Sequence, residues 1–180
     1  MKVFFKFFAV FFAVLAAGCC CQDDGGNFLE GVAVEERPAI KEVWDKASSG
    51  DTNAQTYLGV LFYTGTVGRN NGAAFTWFKK ASENGSGEAD YFLYEMYDKG
   101  IHVKQNAETA FKYLQSSASK GFTSARVKLA ELYLNGERTE GLDKEELLEW
   151  LGTYTEQGNE KARDLLAKFQ KDPSADKSEK

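Results

Sequence analysis

Apolar residues along the chain repeat at two spacings, and the pair of spacings comes round three times. Ala54, Leu58 and Phe62 stand four residues apart with Gly65 after them. The same order returns as Ala89, Leu93, Tyr97, Gly100 and again as Ala125, Leu129, Tyr133, Gly136. A second set trails each: Ala74, Trp77, Phe78, Gly85; then Ala110, Tyr113, Leu114, Gly121; then Leu147, Trp150, Leu151, Gly158. The closing glycines at 50, 85, 121 and 158 are 35, 36 and 37 residues apart. A four-residue step keeps side chains on one stripe of a 3.6-residue helix, so each copy predicts two helices. Asn70, Asn106 and Asp143 suit the N-cap of the second helix, and Glu146 fits a capping box with Asp143. Glycine can stop the helix in the left-handed conformation. No pair can bury its stripe alone, so neighbouring pairs must stack into an all-α solenoid.

The flanks follow the same plan. Pro38 opens a helix to Ser49 with Ile40, Val43, Trp44 and Ala47 on one stripe, a cap for the front of the stack. Asn159 to Lys171 starts like a fourth copy, with Ala162, Leu165, Leu166 and Phe169 inward and Glu160, Arg163 and Lys168 outward. Asp172-Pro173 ends it. The repeat domain is therefore expected over 38–171, with a polar tail at 172–180.

The amino terminus is of another kind. Lys2 and Lys6 precede the apolar stretch Phe7 to Ala17, whose eleven residues span about 16 Å as a helix, roughly half a bilayer core. That length suits a signal segment. Leu15-Ala16-Ala17-Gly18-Cys19 resembles the lipobox of bacterial lipoproteins, although the favoured leucine is one position early. The resemblance implies a signal peptide over 1–18, lipidation at Cys19, and a lipid-anchored, periplasm-facing place in the bacterial cell envelope. Cys20, rather than aspartate, follows, which favours the outer membrane. An ordinary secretory signal and an uncleaved anchor are the alternatives. Residues 19–37 form a tether whose sixteen residues after Cys21 reach on the order of 50 Å. Within it Phe28, Leu29, Val32 and Val34 either pack on the first helix or make a partner-binding strip.

The repeat columns resemble the Sel-one-like repeat, a relative of the tetratricopeptide repeat. Tyr57-Leu58-Gly59 and Ala74-Phe75-Thr76-Trp77-Phe78-Lys79-Lys80-Ala81 carry the likeness. It implies a right-handed superhelical solenoid of antiparallel helix pairs, about three repeats with flanking capping helices. The family's interhelix Gly-x-Gly-Val is altered, with Val67, His102 or Arg138 replacing the second glycine, which puts the usual loop geometry in doubt.

Charge and chemistry narrow the function. The chain carries a net −5, and removing the first eighteen residues with their two lysines leaves −7. That balance argues against nucleic acid as a partner. All three cysteines are at 19–21 and His102 is the single histidine, so no metal or cofactor is expected. No hydrolase motif is present, and the chain is expected not to be an enzyme. The first helices line the concave face in this architecture, and their non-core positions make a candidate groove. Those positions are Asn53, Thr56, Val60 and Tyr63; Glu88, Tyr91, Glu95 and Asp98; Ser124, Val127, Glu131 and Leu134; then Lys161, Asp164 and Lys168. Tyr63, Glu88, Tyr91, Glu95, Asp98 and Glu131 are the candidate partner-binding residues, an acidic, aromatic-lined track. The expectation is a monomeric envelope scaffold that binds a protein or peptide partner there. Recognition of a cell-wall fragment or small ligand, or weak hydrolysis, is the alternative.

Overall fold

Eight α-helices follow one another in the computed structural model, which describes residues 37–137 and 140–171, and no strand occurs among them. They are α1 (Arg37–Ser48), α2 (Thr52–Thr64), α3 (Asn71–Glu83), α4 (Gly87–Lys99), α5 (Ala107–Ser119), α6 (Thr123–Leu134), α7 (Lys144–Glu156) and α8 (Glu160–Lys171). The signal segment, Cys19, the tether with its Phe28–Val34 strip, Arg138 and the polar tail lie outside the described residues.

Helices α2/α3, α4/α5 and α6/α7 are the three pairs, with α1 and α8 at the ends. Inside each pair the second helix starts where its cap residue predicts. The Asn70, Asn106 and Asp143 carboxamide or carboxylate oxygens accept from the N–H groups of Ala73, Thr109 and Glu146. The alanine and leucine columns form the core: Leu58, Leu93, Leu114, Leu129, Leu147 and Leu151 are buried, as are Ala74, Ala89, Ala125 and Ala162. Burying such a leucine is worth roughly 1.5–3 kcal/mol, and the alanines let helix axes approach. Gly59 carries this furthest. A Cβ there would come within 2.6 Å of the Phe78 ring, so α2 and α3 need glycine at their contact.

The joints between pairs are tighter than the loops within them. At Gly85 (φ 93) its N–H donates to the Ser82 carbonyl, and the next N–H, of Ser86, donates to the Ala81 carbonyl. This double closure satisfies two carbonyls left open at the end of α3. It recurs at Gly50, Gly121 and Gly158. The residue after the glycine then opens the next helix. Asp51, Ser86 and Asn159 accept through their side chains from the N–H groups of Ala54, Ala89 and Ala162. Phe122 holds that place before α6 and makes no side-chain cap; its ring lies 5.3 Å from Tyr91 instead.

The loops inside the first two pairs settle the doubt over the missing glycine differently. His102 itself adopts φ 65, the left-handed conformation, with its ring 5.7 Å from Phe75. The first copy moves the turn one residue on, to Gly68 at φ 90, and buries Val67.

Both ends are closed by charge. Eight residues before the closing glycine, the three second helices carry Trp77, Tyr113 and Trp150, whereas α1 carries Glu42. Glu42 pairs with Lys46 at 2.7 Å, and Lys41 with Asp45 at 2.8 Å, so this side of α1 is charged where the other helices carry an aromatic. On α8, Glu160, Arg163 and Lys168 are exposed. The first helices touch in order along one layer. Thr56 of α2 hydrogen-bonds Ser86 before α4 at 2.9 Å. Tyr63 meets Phe92 at 5.7 Å, and Lys161 of α8 reaches Glu131 of α6 at 3.1 Å.

Candidate protein-interaction groove

The layer of first helices turns one stripe of side chains to solvent. On α2 the stripe is Asn53, Tyr57, Val60 and Thr64, bracketed on both sides by buried residues. On α4 it is Glu88, Phe92, Glu95 and Lys99, and on α6 it is Ser124, Lys128, Glu131 and Asn135. Lys161 and Lys168 continue it on α8.

This stripe is rotated from the expected one. Thr56 and Val127 were expected in the groove and are buried, because their column faces the next first helix rather than solvent. Tyr91 belongs to the same column. It is half-buried between Tyr94 at 5.5 Å and Phe122 at 5.3 Å. Tyr63 is half-buried too, edge-on to Phe78 and Phe92. The aromatic that does stand in solvent is Tyr57, 52% exposed. The count from the leucine column takes its neighbour Thr56 in its place. Leu134 is half-buried, and Asn53, Ser124 and Asp164 are exposed as expected.

The carboxylates fall into two groups. Glu95 accepts from Lys99 at 2.6 Å, and Glu131 accepts from both Lys128 and Lys161 at 3.1 Å. Burial raises the Glu131 carboxyl, but the hydrogen bonds from Lys161 and Lys128 outweigh it and hold it below the usual carboxylate range. Glu88 and Asp98 are exposed and pair with no lysine or arginine among the described residues. The track is therefore acidic at α4 and neutralised by lysine toward α8. Burial, and then Asp98, Tyr91, Glu95 and Glu131 in turn, push the Tyr94 phenol well above its ordinary value. Burial followed by Glu95 does the same to Tyr63 and Tyr91.

Among the described residues no three His, Cys, Asp or Glu side chains gather as a metal site, and no helix is long and apolar enough to cross a membrane. The His102 ring packs on Phe75. What the described residues present is a long side-chain-lined face.

A family model of the Sel1 repeat matches residues 52–86, 87–122 and 123–151, more than half of the chain. The chain belongs to the Sel1 repeat family. Its fold is similar to the crystal structure of a Sel1 repeat protein from Oxalobacter formigenes, with TM-score 0.61 and 29% identity over 72% of this chain and 97% of that one. It also resembles c5321, a protective antigen of uropathogenic Escherichia coli displaying an SLR fold. There the TM-score is 0.59 at 24% identity, over 73% of this chain and 28% of that one, a likeness of fold alone. Two curated relatives are the DAP3-binding cell death enhancer 1 proteins of Rattus norvegicus and Mus musculus, 34% identical over 99 residues and 31% over 100. Each alignment covers 55% of this chain, and the chain spans 19% of the length of these relatives. Sel1 arrays generally serve as non-enzymatic scaffolds for protein–protein interaction.

The Sel1 pairs are also stitched by a polar column that pattern alone did not single out. Gln55, Asp90 and Arg126 each follow a column alanine, and each reaches the residue three before the preceding closing glycine. Gln55 donates to the Ala47 carbonyl at 3.0 Å, and Arg126 to the Ala118 carbonyl at 2.9 Å. Asp90 accepts from the Ser82 hydroxyl. Each also grips the second helix of its own pair. Asn84 donates to Gln55 and Lys120 to Asp90, while Arg126 donates to the Tyr154 hydroxyl and lies over Trp150. The legible signal was a polar residue recurring inside an otherwise apolar face.

Proposed function

We propose that this Sel1 repeat protein is a non-enzymatic scaffold of the bacterial envelope, anchored by lipid at Cys19 and binding a protein or peptide partner along its first-helix groove. The observation that carries the binding half is the continuous solvent-facing stripe from Tyr57 on α2 to Lys161 on α8, on an array whose ends are closed by charge. Family membership supports a protein partner, and so does the name of the rodent relatives, which describes them as DAP3-binding. The anchoring half is supported by the lipobox-like Leu15-Ala16-Ala17-Gly18-Cys19 and by the tether behind it. Two acyl chains or more hold a protein on a bilayer, which one does not. Cys20 in the second mature position favours the outer membrane.

The two halves separate experimentally. Fatty-acid labelling and membrane fractionation of wild type and Cys19→Ala test the anchor; a Cys19→Ala chain that is still labelled, or processed normally and retained in the membrane, overturns it. Envelope cross-linking with photoreactive residues at positions 57 and 95 tests the groove. Cross-links to one partner from these positions, and not from position 76 on α3, are expected.

A further inference from the structure

The groove is not uniform, and its asymmetry specifies the partner. On α2 it is neutral and apolar, with Tyr57 52% exposed and Val60 one turn on. Phe92, one helix across, is stacked at 4.6 Å on Phe78 and lies edge-on to Tyr63 at 5.7 Å, which fixes the ring at the seam between α2 and α4. Along α4 the charges divide by partner. Lys99 neutralises Glu95, whereas Glu88 and Asp98 stand exposed without a cation among the described residues. Ten residues of helix separate those two, about 15 Å. Farther along, Lys128 and Lys161 converge on one carboxylate, Glu131, which leaves that stretch net positive. A cationic ligand is thus repelled from the α6–α8 half and attracted to the α4 edge of the apolar half.

We propose that the α2–α4 half of the groove docks a basic, amphipathic segment of a partner protein, its apolar side chains on Tyr57, Val60 and Phe92 and its cations on Glu88 and on Asp98, which stands at the α6-facing edge of the α4 stripe. Tyr57 is the anchor, because a large exposed aromatic loses the most water-facing surface on contact, while single exposed ion pairs contribute little. The carboxylates orient the segment and speed its capture. The proposal rests on the scaffold reading above and adds the sign of the partner and its place.

Residues 22–180 suffice for the test. They contain no cysteine, their described helices carry charged faces at both ends, and the Oxalobacter chain, matched over 97% of its length by 72% of this chain, is a folded protein of about the extent of the helical array. The probes are fluorescent fifteen-residue helical peptides: leucine–lysine, leucine–glutamate, and a serine–lysine peptide lacking the apolar stripe. Anisotropy titrations should show the leucine–lysine peptide binding most tightly. Tyr57→Ala should weaken it roughly tenfold or more. The Glu88→Gln, Asp98→Asn double variant should weaken it several-fold and reduce its salt dependence. Glu83→Gln, an exposed change on α3, should leave it unchanged, and circular-dichroism melts should confirm that every variant folds.

Tighter binding of the leucine–glutamate peptide, still dependent on Tyr57, overturns the basic partner and leaves the scaffold reading standing. Equal binding of the serine–lysine peptide, or leucine–lysine binding indifferent to Tyr57 and to both carboxylates, overturns the proposal outright. If cross-links from positions 57 and 95 to an envelope partner are also missing, the scaffold reading falls with it.

Discussion

A carboxylate with no exposed surface needs several donors at once, and Asp90 has three: the hydroxyls of Ser82 and Ser116 and the ammonium of Lys120 at 2.6 Å. Lys120 also donates to the Ser82 carbonyl, so the cluster pins α3, α4 and α5 together. Asp90→Asn removes the charge and leaves Lys120, 28% exposed, to find water. The expected loss is about 1–3 kcal/mol, the range for hydrogen bonds to a charged group, measured by chemical denaturation. A loss below half a kcal/mol would make the cluster ornamental. In the sequence Asp90 is one acid among many on a charged helix, and nothing local marks it as buried. Its burial comes from the neighbouring pairs. Tyr94 yields the pH prediction at this scale. Its raised phenol favours the neutral form in the folded protein, so its contribution is complete below about pH 10 and is lost as pH rises through the folded value. Alkaline unfolding should therefore be shallower in Tyr94→Phe than in wild type between pH 9 and pH 11.

At the scale of the element, helix starts were the most legible feature, because an N-cap is the chemistry of one residue. Asn70, Asn106 and Asp143 cap as their positions foretell. Gly85→Ala tests the stop. A Cβ there meets nothing within 4 Å, so any loss is conformational, about 1–2 kcal/mol, and thermal melts should show it. Leu93→Ala asks a different question, since Leu93 is fully buried in the central copy. The cavity should cost about 2–5 kcal/mol in the same measurement. If the glycine variant proved worse than the leucine variant, backbone closure rather than packing would dominate the pair. Phe122 is the one joint that the caps do not explain. Its position asks for a short polar side chain, and it trades that cap for contact with Tyr91.

For the whole molecule, the columns recurring at 35, 36 and 37 residues made the solenoid legible, since stacking is the one way such stripes can all be buried. The groove was legible only as a layer. Which side chains of α2, α4 and α6 reach solvent depends on how far each helix is rotated against its neighbour, and that rotation is set by tertiary contacts such as Thr56 to Ser86. Counting outward from the leucine column was one position off in every second place, which placed Thr56 and Val127 in solvent and hid Tyr57 and Phe92.

The joints carry one more consequence. The span from column alanine to Gly65, Gly100 or Gly136 is the same in every copy, as is the span from the cap residue to the closing glycine. Between them lie four residues before Asn70, five before Asn106 and six before Asp143. All growth in period has thus gone into a single edge of the molecule. An inserted epitope should be tolerated there, between Gly136 and Asp143, with little change in melting temperature. The same insertion beside Gly85 should unfold the array, because a residue that ends one helix and begins the next leaves no slack for a guest.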